Sequence, residues 1–231
     1  LILSHKNIVI FSHPRSGTKL LANILENFGY YSYGEWFSLY STIIENNKAI
    51  RRAVYTESIS SKSESGYKKI KEHVQRSELY KRTDNSVITI WPETLSECPF
   101  ILLNLVDYHW ICLKRDPWDT MLSYYISVKN KNFDGDFVNQ SCVFNEDTFR
   151  MTYWNYYKAC EMQDWIIKNK SATVIDFQDL VSGSSTAFGK EYTVNSRDEN
   201  INIESLVENI NQVKEWFIKL ETIRTTYKSW D

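Results

Sequence analysis

The chain has 231 residues, with 27 Lys and Arg against 29 Asp and Glu, so a formal net charge of −2 leaves no whole-protein field to attract nucleic acid or an anionic membrane. That length suits one substantial core, and no Pro-, Gly- or Ser-rich linker divides it, so the expectation is a single α/β domain over 1–231. The longest apolar runs, such as Phe100-Ile101-Leu102-Leu103, fall far short of the roughly 20 residues that cross a bilayer.

With no signal-peptide pattern at its start, the sequence predicts a soluble, cytoplasmic protein; because it begins with Leu rather than Met, a trimmed lumenal or anchored form stays open. Cys98, Cys112, Cys142 and Cys160 are widely spaced, without a C-x-x-C pair or a His at metal-ligand distance. Free thiols are expected, and no metal site. An aromatic fraction of 15% predicts a core rich in Trp and Tyr, with stacking on a sugar or another ring as the alternative.

Taken in chain order, Asn7 to Ser12 reads as a short buried strand, and Thr18 to Phe28 as a helix with Leu20, Leu21, Ile24, Leu25 and Phe28 on its apolar side, closed by Gly29. Trp36 to about Val54 is expected to form a second helix. Residues 58–84 are polar and charged, and read as a mobile insertion, able to act as a lid, with one helix from Gly66 to Tyr80. Val87 to Ile90 and His109 to Leu113 read as strands, the latter leading through Asp116, suited to an N-cap, and Pro117, suited to a first helical position, into a helix ending near Lys129. Glu146 to Lys168 is a long helix, Ala172 to Asp176 a strand, and Ile203 to about Thr226 a final helix. Strands alternating with helices predict a mainly parallel central sheet flanked by helices, with ligands at the carboxyl ends of the strands.

The most informative segment is Ile8-Val9-Ile10-Phe11-Ser12-His13-Pro14-Arg15-Ser16-Gly17-Thr18, a strand that delivers a tight turn to a helix N-terminus. Unpaired backbone N–H groups and the helix dipole make such a turn a phosphate cradle. A nucleotide triphosphatase loop reads G-x-x-x-x-G-K-S/T; here Ser12 replaces the first Gly, Thr18 stands in place of the Lys, and Lys19 comes one position late. A phosphate site without Mg²⁺ fits that pattern better.

Pro14-Arg15-Ser16-Gly17-Thr18 followed by an apolar helix resembles the 5′-phosphosulfate loop of sulfotransferases that use 3′-phosphoadenylyl sulfate (PAPS), chiefly the tyrosylprotein, carbohydrate and bacterial branches. Ile111-Cys112-Leu113-Lys114-Arg115-Asp116-Pro117-Trp118-Asp119 with Ser123 resembles the same family's 3′-phosphate motif, an Arg at a strand end and a Ser eight residues later. Thr173-Val174-Ile175-Asp176-Phe177-Gln178-Asp179-Leu180 is similar to a third family segment, and Lys190, Ser196 and Arg197 lie where relatives place another donor contact. The resemblance implies a P-loop-like α/β fold and transfer of a sulfuryl group to a hydroxyl or amine on a small-molecule, carbohydrate or peptide acceptor, with release of 3′,5′-ADP and no metal. It also implies a donor site of Arg15, Ser16, Gly17, Thr18, Lys19, Arg115 and Ser123.

The base differs between branches. Cytosolic relatives use a His in a K-T-H-x-P segment, which here reads Ile88-Thr89-Ile90-Trp91-Pro92, and Leu20 replaces a Trp they place near adenine. Other branches use a Glu shortly after the first helix, where this chain has Gly34-Glu35-Trp36-Phe37, so the resemblance makes Glu35 the base and Arg15 its electrostatic partner in catalysis. The missing Lys leaves one leaving-group contact to Lys19, Lys81 or Arg82. Two other readings stand beside this one: a kinase using ATP or GTP at the same turn, and a nucleotide-binding module without activity. Structurally, Arg115 could instead pair with Asp119 one helical turn on, Glu35 could be an exposed helix-starting carboxylate, and Asp176 reads as a cap.

Overall fold

A computed structural model describes residues 2–35, 85–97, 102, 105–130, 141–183, 186–194 and 202–228. The expected helix from Trp36, the insertion at 58–84 with Lys81 and Arg82, and Ser196 and Arg197 lie outside the described residues. The described residues form two compact units: one comprises those up to Lys114 together with Met162–Val194, the other Arg115–Glu161 and those from 202 onward.

The first unit is built on a five-stranded sheet in which every pairing is parallel: β1 (Asn7–Phe11), β2 (Tyr31–Ser32), β3 (Ser86–Ile90), β4 (His109–Lys114) and β5 (Thr173–Asp176), in spatial order β2-β3-β1-β4-β5. The apolar runs of β1, β3 and β4 follow from this placement, because an inner parallel strand covered on both faces has no side left for polar residues. Alternate residues sort to opposite faces. Val9, Phe11, Ile88, Ile90, Trp110 and Cys112 pack with Ile166, whereas Ile8, Ile10, Val87, Ile111, Leu113 and Ile175 pack with Leu21, Ile24 and Leu25 of helix α1 (Thr18–Asn27). Each fully buried Val, Ile, Leu or Phe in these layers contributes roughly 1.5–3 kcal/mol before the entropic cost of ordering it. Helix α1 stops where expected, with Gly29 at φ 87°.

Helix α2 (Pro92–Glu97) follows β3. In the second unit, helix α3 (Pro117–Asn130) starts as the sequence predicts: the Asp119 N–H donates to Asp116 Oδ1 at 3.0 Å, with Pro117 as the first helical residue. Helix α4 (Glu146–Lys170) is one continuous helix whose residues up to Glu161 belong to the second unit and the rest to the first. Helix α5 (Phe177–Val181) follows β5, and Asp176 takes the capping role read from the sequence, accepting from the Gln178 N–H at 2.8 Å.

Helix α6 spans Ile210–Lys228, so the helix expected from Ile203 starts seven residues late. Ile203–Leu206 is instead a 3₁₀ turn capped by Asn202, and Val207 is extended and bridges to Cys142. Its apolar residues serve the same core, which gathers Met121, Leu122, Tyr125, Ile126, Phe144, Phe149, Tyr153, Val213 and Leu220. Between α4 and α6, Tyr153 and Tyr157 donate to Glu221, which also pairs with Arg224 at 2.6 Å, so the polar groups in this contact satisfy one another. Cys112 and Cys142 are buried thiols and Cys160 a half-buried one. No helix among the described residues is long and apolar enough to cross a membrane.

Candidate functional site

The loop after β1 leaves the middle strand of the sheet. The connection from β1 runs toward β2 on one side, and that from β4 toward β5 on the other, so the carboxyl ends of neighbouring strands β1 and β4 mark the point where strand order reverses. Open parallel sheets bind ligands outside the strand ends at such a point.

Residues 12–17 are held in an unusual backbone path. Arg15 has φ 70° and Gly17 φ 95°. A left-handed Arg costs on the order of 1 kcal/mol and persists only where its neighbours over-determine it. His13 does so twice: its carbonyl accepts the Ser16 N–H at 3.3 Å, and its Nδ1–H donates to the Pro14 carbonyl at 2.7 Å. A carbonyl only accepts, so the proton of this tautomer sits on Nδ1.

Gly17 is required on two counts. Its φ is one that side chains rarely adopt, and a Cβ built on it would lie 2.6 Å from Cδ2 and Cε2 of Phe177, at the start of α5. Gly17 is also the N-cap of α1, and among the described residues no side chain caps that helix. The first intrahelical bond runs from the Leu21 N–H to the Gly17 carbonyl at 3.0 Å, which leaves the amides of Gly17, Thr18 and Leu20 with no role inside the helix. Ser16 is buried, and its own amide is spent on the turn. Arg15 and Thr18 are half-buried, Lys19 exposed. An uncapped N-terminus beside a guanidinium favours an anion by about 0.3–2 kcal/mol from the dipole alone.

Glu35 is half-buried just beyond β2. The Thr89 N–H donates to the Gly34 carbonyl at 2.8 Å, so the β2–β3 pairing carries Glu35 to the same edge of the sheet as the loop after β1. β3 lies between β2 and β1, so the two strands are two spacings, about 10 Å, apart across the sheet. Arg15, Ser16, Gly17, Thr18, Lys19 and Glu35 thus belong to one edge of the first unit.

Arg115 and Ser123 belong to the second unit. Arg115 is half-buried; burial pulls its pKa down, while Asp119 and Asp116 hold it up. Burial in turn raises Asp119, against the pull of Arg115. Asp119 thus acts on Arg115 electrostatically from one helical turn on. Ser123 is buried at 1% exposure on a helix buried almost throughout from Thr120 to Ser127. Lys190 is exposed. Among the described residues no group of three or more His, Cys, Asp or Glu is placed to hold a metal ion.

Sequence reasoning missed two contributors. Phe177, 160 residues along the chain, fills the space that a side chain at position 17 would need. Gln163 of α4 is buried and donates to the carbonyls of Phe11 (3.3 Å) and Leu113 (2.8 Å), at the ends of β1 and β4. A lone Gln inside a helix carries no motif that could have revealed it.

The buried His13 gives the site a pH signature. Burial outweighs its bond to Pro14 and pushes its pKa down to about 4 from 6.5. The unfolded chain therefore binds more protons between those values, so this contribution to stability is complete above about pH 6.5 and is lost as pH falls through about 4. The loss approaches about 3 kcal/mol. His109, lowered to about 4 by burial and then by its stacked neighbour His5, acts with the same sign. Thermal melts between pH 7 and pH 4 should show this decline, and His13→Asn should flatten it; an equally steep decline in that variant would remove His13 as a source.

No protein-family model matches the chain, and no curated protein does. Among solved structures, the chain is similar to a mouse sulfotransferase, SULT7A1, crystallised in complex with PAP, at 14% identity and a TM-score of 0.46. The match covers 83% of this chain and 62% of that one, so the chain spans less than two thirds of its length.

Proposed function

We propose that this protein is a sulfotransferase that moves a sulfuryl group from PAPS to a hydroxyl or amine and releases 3′,5′-ADP. The observation that carries the reading is the turn after the middle strand: two left-handed residues, Arg15 and Gly17, ahead of a helix without a side-chain cap. This suits the 5′-phosphosulfate. Arg15 supplies charge and the amides of Gly17 and Thr18 supply donors, fixed before the ligand arrives, which is the kind of electrostatic preorganisation worth several kcal/mol to a developing anion. Arg115, which follows the neighbouring strand β4, and Ser123 hold the 3′-phosphate in this reading.

In the transfer, the acceptor's oxygen or nitrogen forms a bond to sulfur as the bond from sulfur to the 5′-phosphate oxygen breaks. The acceptor's proton passes to Glu35, and the negative charge left on the phosphate is met by Arg15 and the loop amides. Glu35 suits the role because it follows β2 at the same edge of the sheet as the loop after β1. Glu35→Gln should leave donor affinity nearly intact while lowering turnover by about tenfold or more. Unchanged turnover would take Glu35 out of the reaction.

The reading is tested by calorimetry with 3′,5′-ADP in the absence of divalent metal, followed by transfer of labelled sulfate from PAPS to a panel of hydroxyl and amine acceptors. Metal-free binding and transfer support a sulfotransferase, whereas binding without transfer to any acceptor supports an inactive nucleotide-binding module. A rise in melting temperature with Mg²⁺-ATP and none with 3′,5′-ADP would replace both with a kinase.

A further inference from the structure

The parallel register of β1 with β4 ends at Phe11 opposite Cys112. One step further the backbones no longer serve each other, and side chains take over. The Ser12 hydroxyl, fully buried, donates to the Leu113 carbonyl at 2.8 Å. From α4, the Gln163 amide, 7% exposed, donates to the same carbonyl at 2.8 Å and to that of Phe11 at 3.3 Å. A primary amide carries two N–H donors, so one group can tie both strand ends at once. Parallel strands that lose their ladder twist apart, and the ends tied here are those from which the Pro14–Thr18 turn and the Arg115 segment depart.

We infer that Gln163, assisted by Ser12, is a positioning residue that sets the separation of the β1 and β4 ends and thereby selects a ligand carrying two phosphates a fixed distance apart. The inference rests on the nucleotide reading above, and it explains why Ser12 stands where a triphosphatase loop has Gly. The hydroxyl is spent on the neighbouring strand, not on the ligand. Gln163 touches neither donor nor acceptor in this account.

A residue that merely supports the fold would, when replaced, lower melting temperature and weaken all nucleotides alike. A residue that sets the spacing of two strand ends acts on a ligand gripped at both. Gln163→Met keeps the length and loses the donors. Ser12→Ala is the milder second variant, should the first fail to fold. The measurement is the ratio of dissociation constants for 5′-AMP and 3′,5′-ADP in the full chain, alongside amide hydrogen exchange of residues 12–17 and 113–116 without ligand. The expected result for Gln163→Met is a loss of about tenfold or more in that ratio, with faster exchange in both segments, and a smaller change in the same direction for Ser12→Ala. A folded variant with an unchanged ratio overturns the inference and leaves the nucleotide reading in place. If the unaltered protein itself fails to prefer 3′,5′-ADP, the nucleotide reading falls; exchange then decides alone, and unchanged exchange in both segments overturns the positioning role as well.

Discussion

Arg115→Ala is expected to raise the dissociation constant for 3′,5′-ADP by about 10- to 150-fold while leaving that for 5′-AMP nearly unchanged. The range corresponds to about 1.5–3 kcal/mol for a charge-assisted contact between a guanidinium and a phosphate. Arg115 suits the contact because burial has already removed part of its hydration, and a guanidinium stays charged in a protein. Asp119 and Asp116 supply the competing account, in which Arg115 does nothing but steady the start of α3. In that case the substitution lowers the melting temperature of the ligand-free protein and weakens both nucleotides equally. Calorimetry with the two nucleotides, paired with a melt of the ligand-free variant, separates the accounts.

Gly17→Ala should be more disruptive than its single added methyl suggests. The new Cβ would stand 2.6 Å from two ring carbons of Phe177, and the residue would have to hold φ 95°. Overpacking of this kind costs about 1–3 kcal/mol, and the left-handed backbone adds about 1 kcal/mol or more. Relief by rotation would swing the amides of Gly17 and Thr18 away from the anion site. The expectation is therefore a drop in melting temperature together with loss of 3′,5′-ADP binding, measured by calorimetry below the new transition. Phe177→Ala in the same chain should recover part of the stability by removing the steric partner, but not the backbone cost. If Gly17→Ala binds 3′,5′-ADP like the unaltered protein, the turn is not the anion cradle.

The strands and helices that carry the phosphate motifs are readable because their signals are local. β1 and β4 are unbroken apolar runs, α1 shows helical spacing closed by a glycine, and the caps at Asp116 and Asp176 are single residues acting on amides two or three positions away. What escapes such a reading is long-range or too short. β2 is two residues long, and its place at the sheet edge comes from pairing with β3 more than 50 residues later. The apolar residues of 203–207 fall in register with α6, yet they reach the same core from a 3₁₀ turn and a bridge to Cys142, so periodicity alone ran the helix too far back. Within the site, the turn sequence points to an anion cradle, but what surrounds it is not legible there: the Phe177 ring beside Gly17 comes from far along the chain, and the bond of the buried His13 ring to the Pro14 carbonyl has no sequence pattern of its own. Gln163 is the extreme case, since its meaning appears only once two strand-end carbonyls are seen to face it.

The most direct test is a crystal structure of the protein with 3′,5′-ADP bound. The account predicts the 5′-phosphate on the amides of Gly17 and Thr18 with Arg15, and the 3′-phosphate on Arg115. A nucleotide bound elsewhere, or one whose two phosphates both lie at a single strand end, would contradict it.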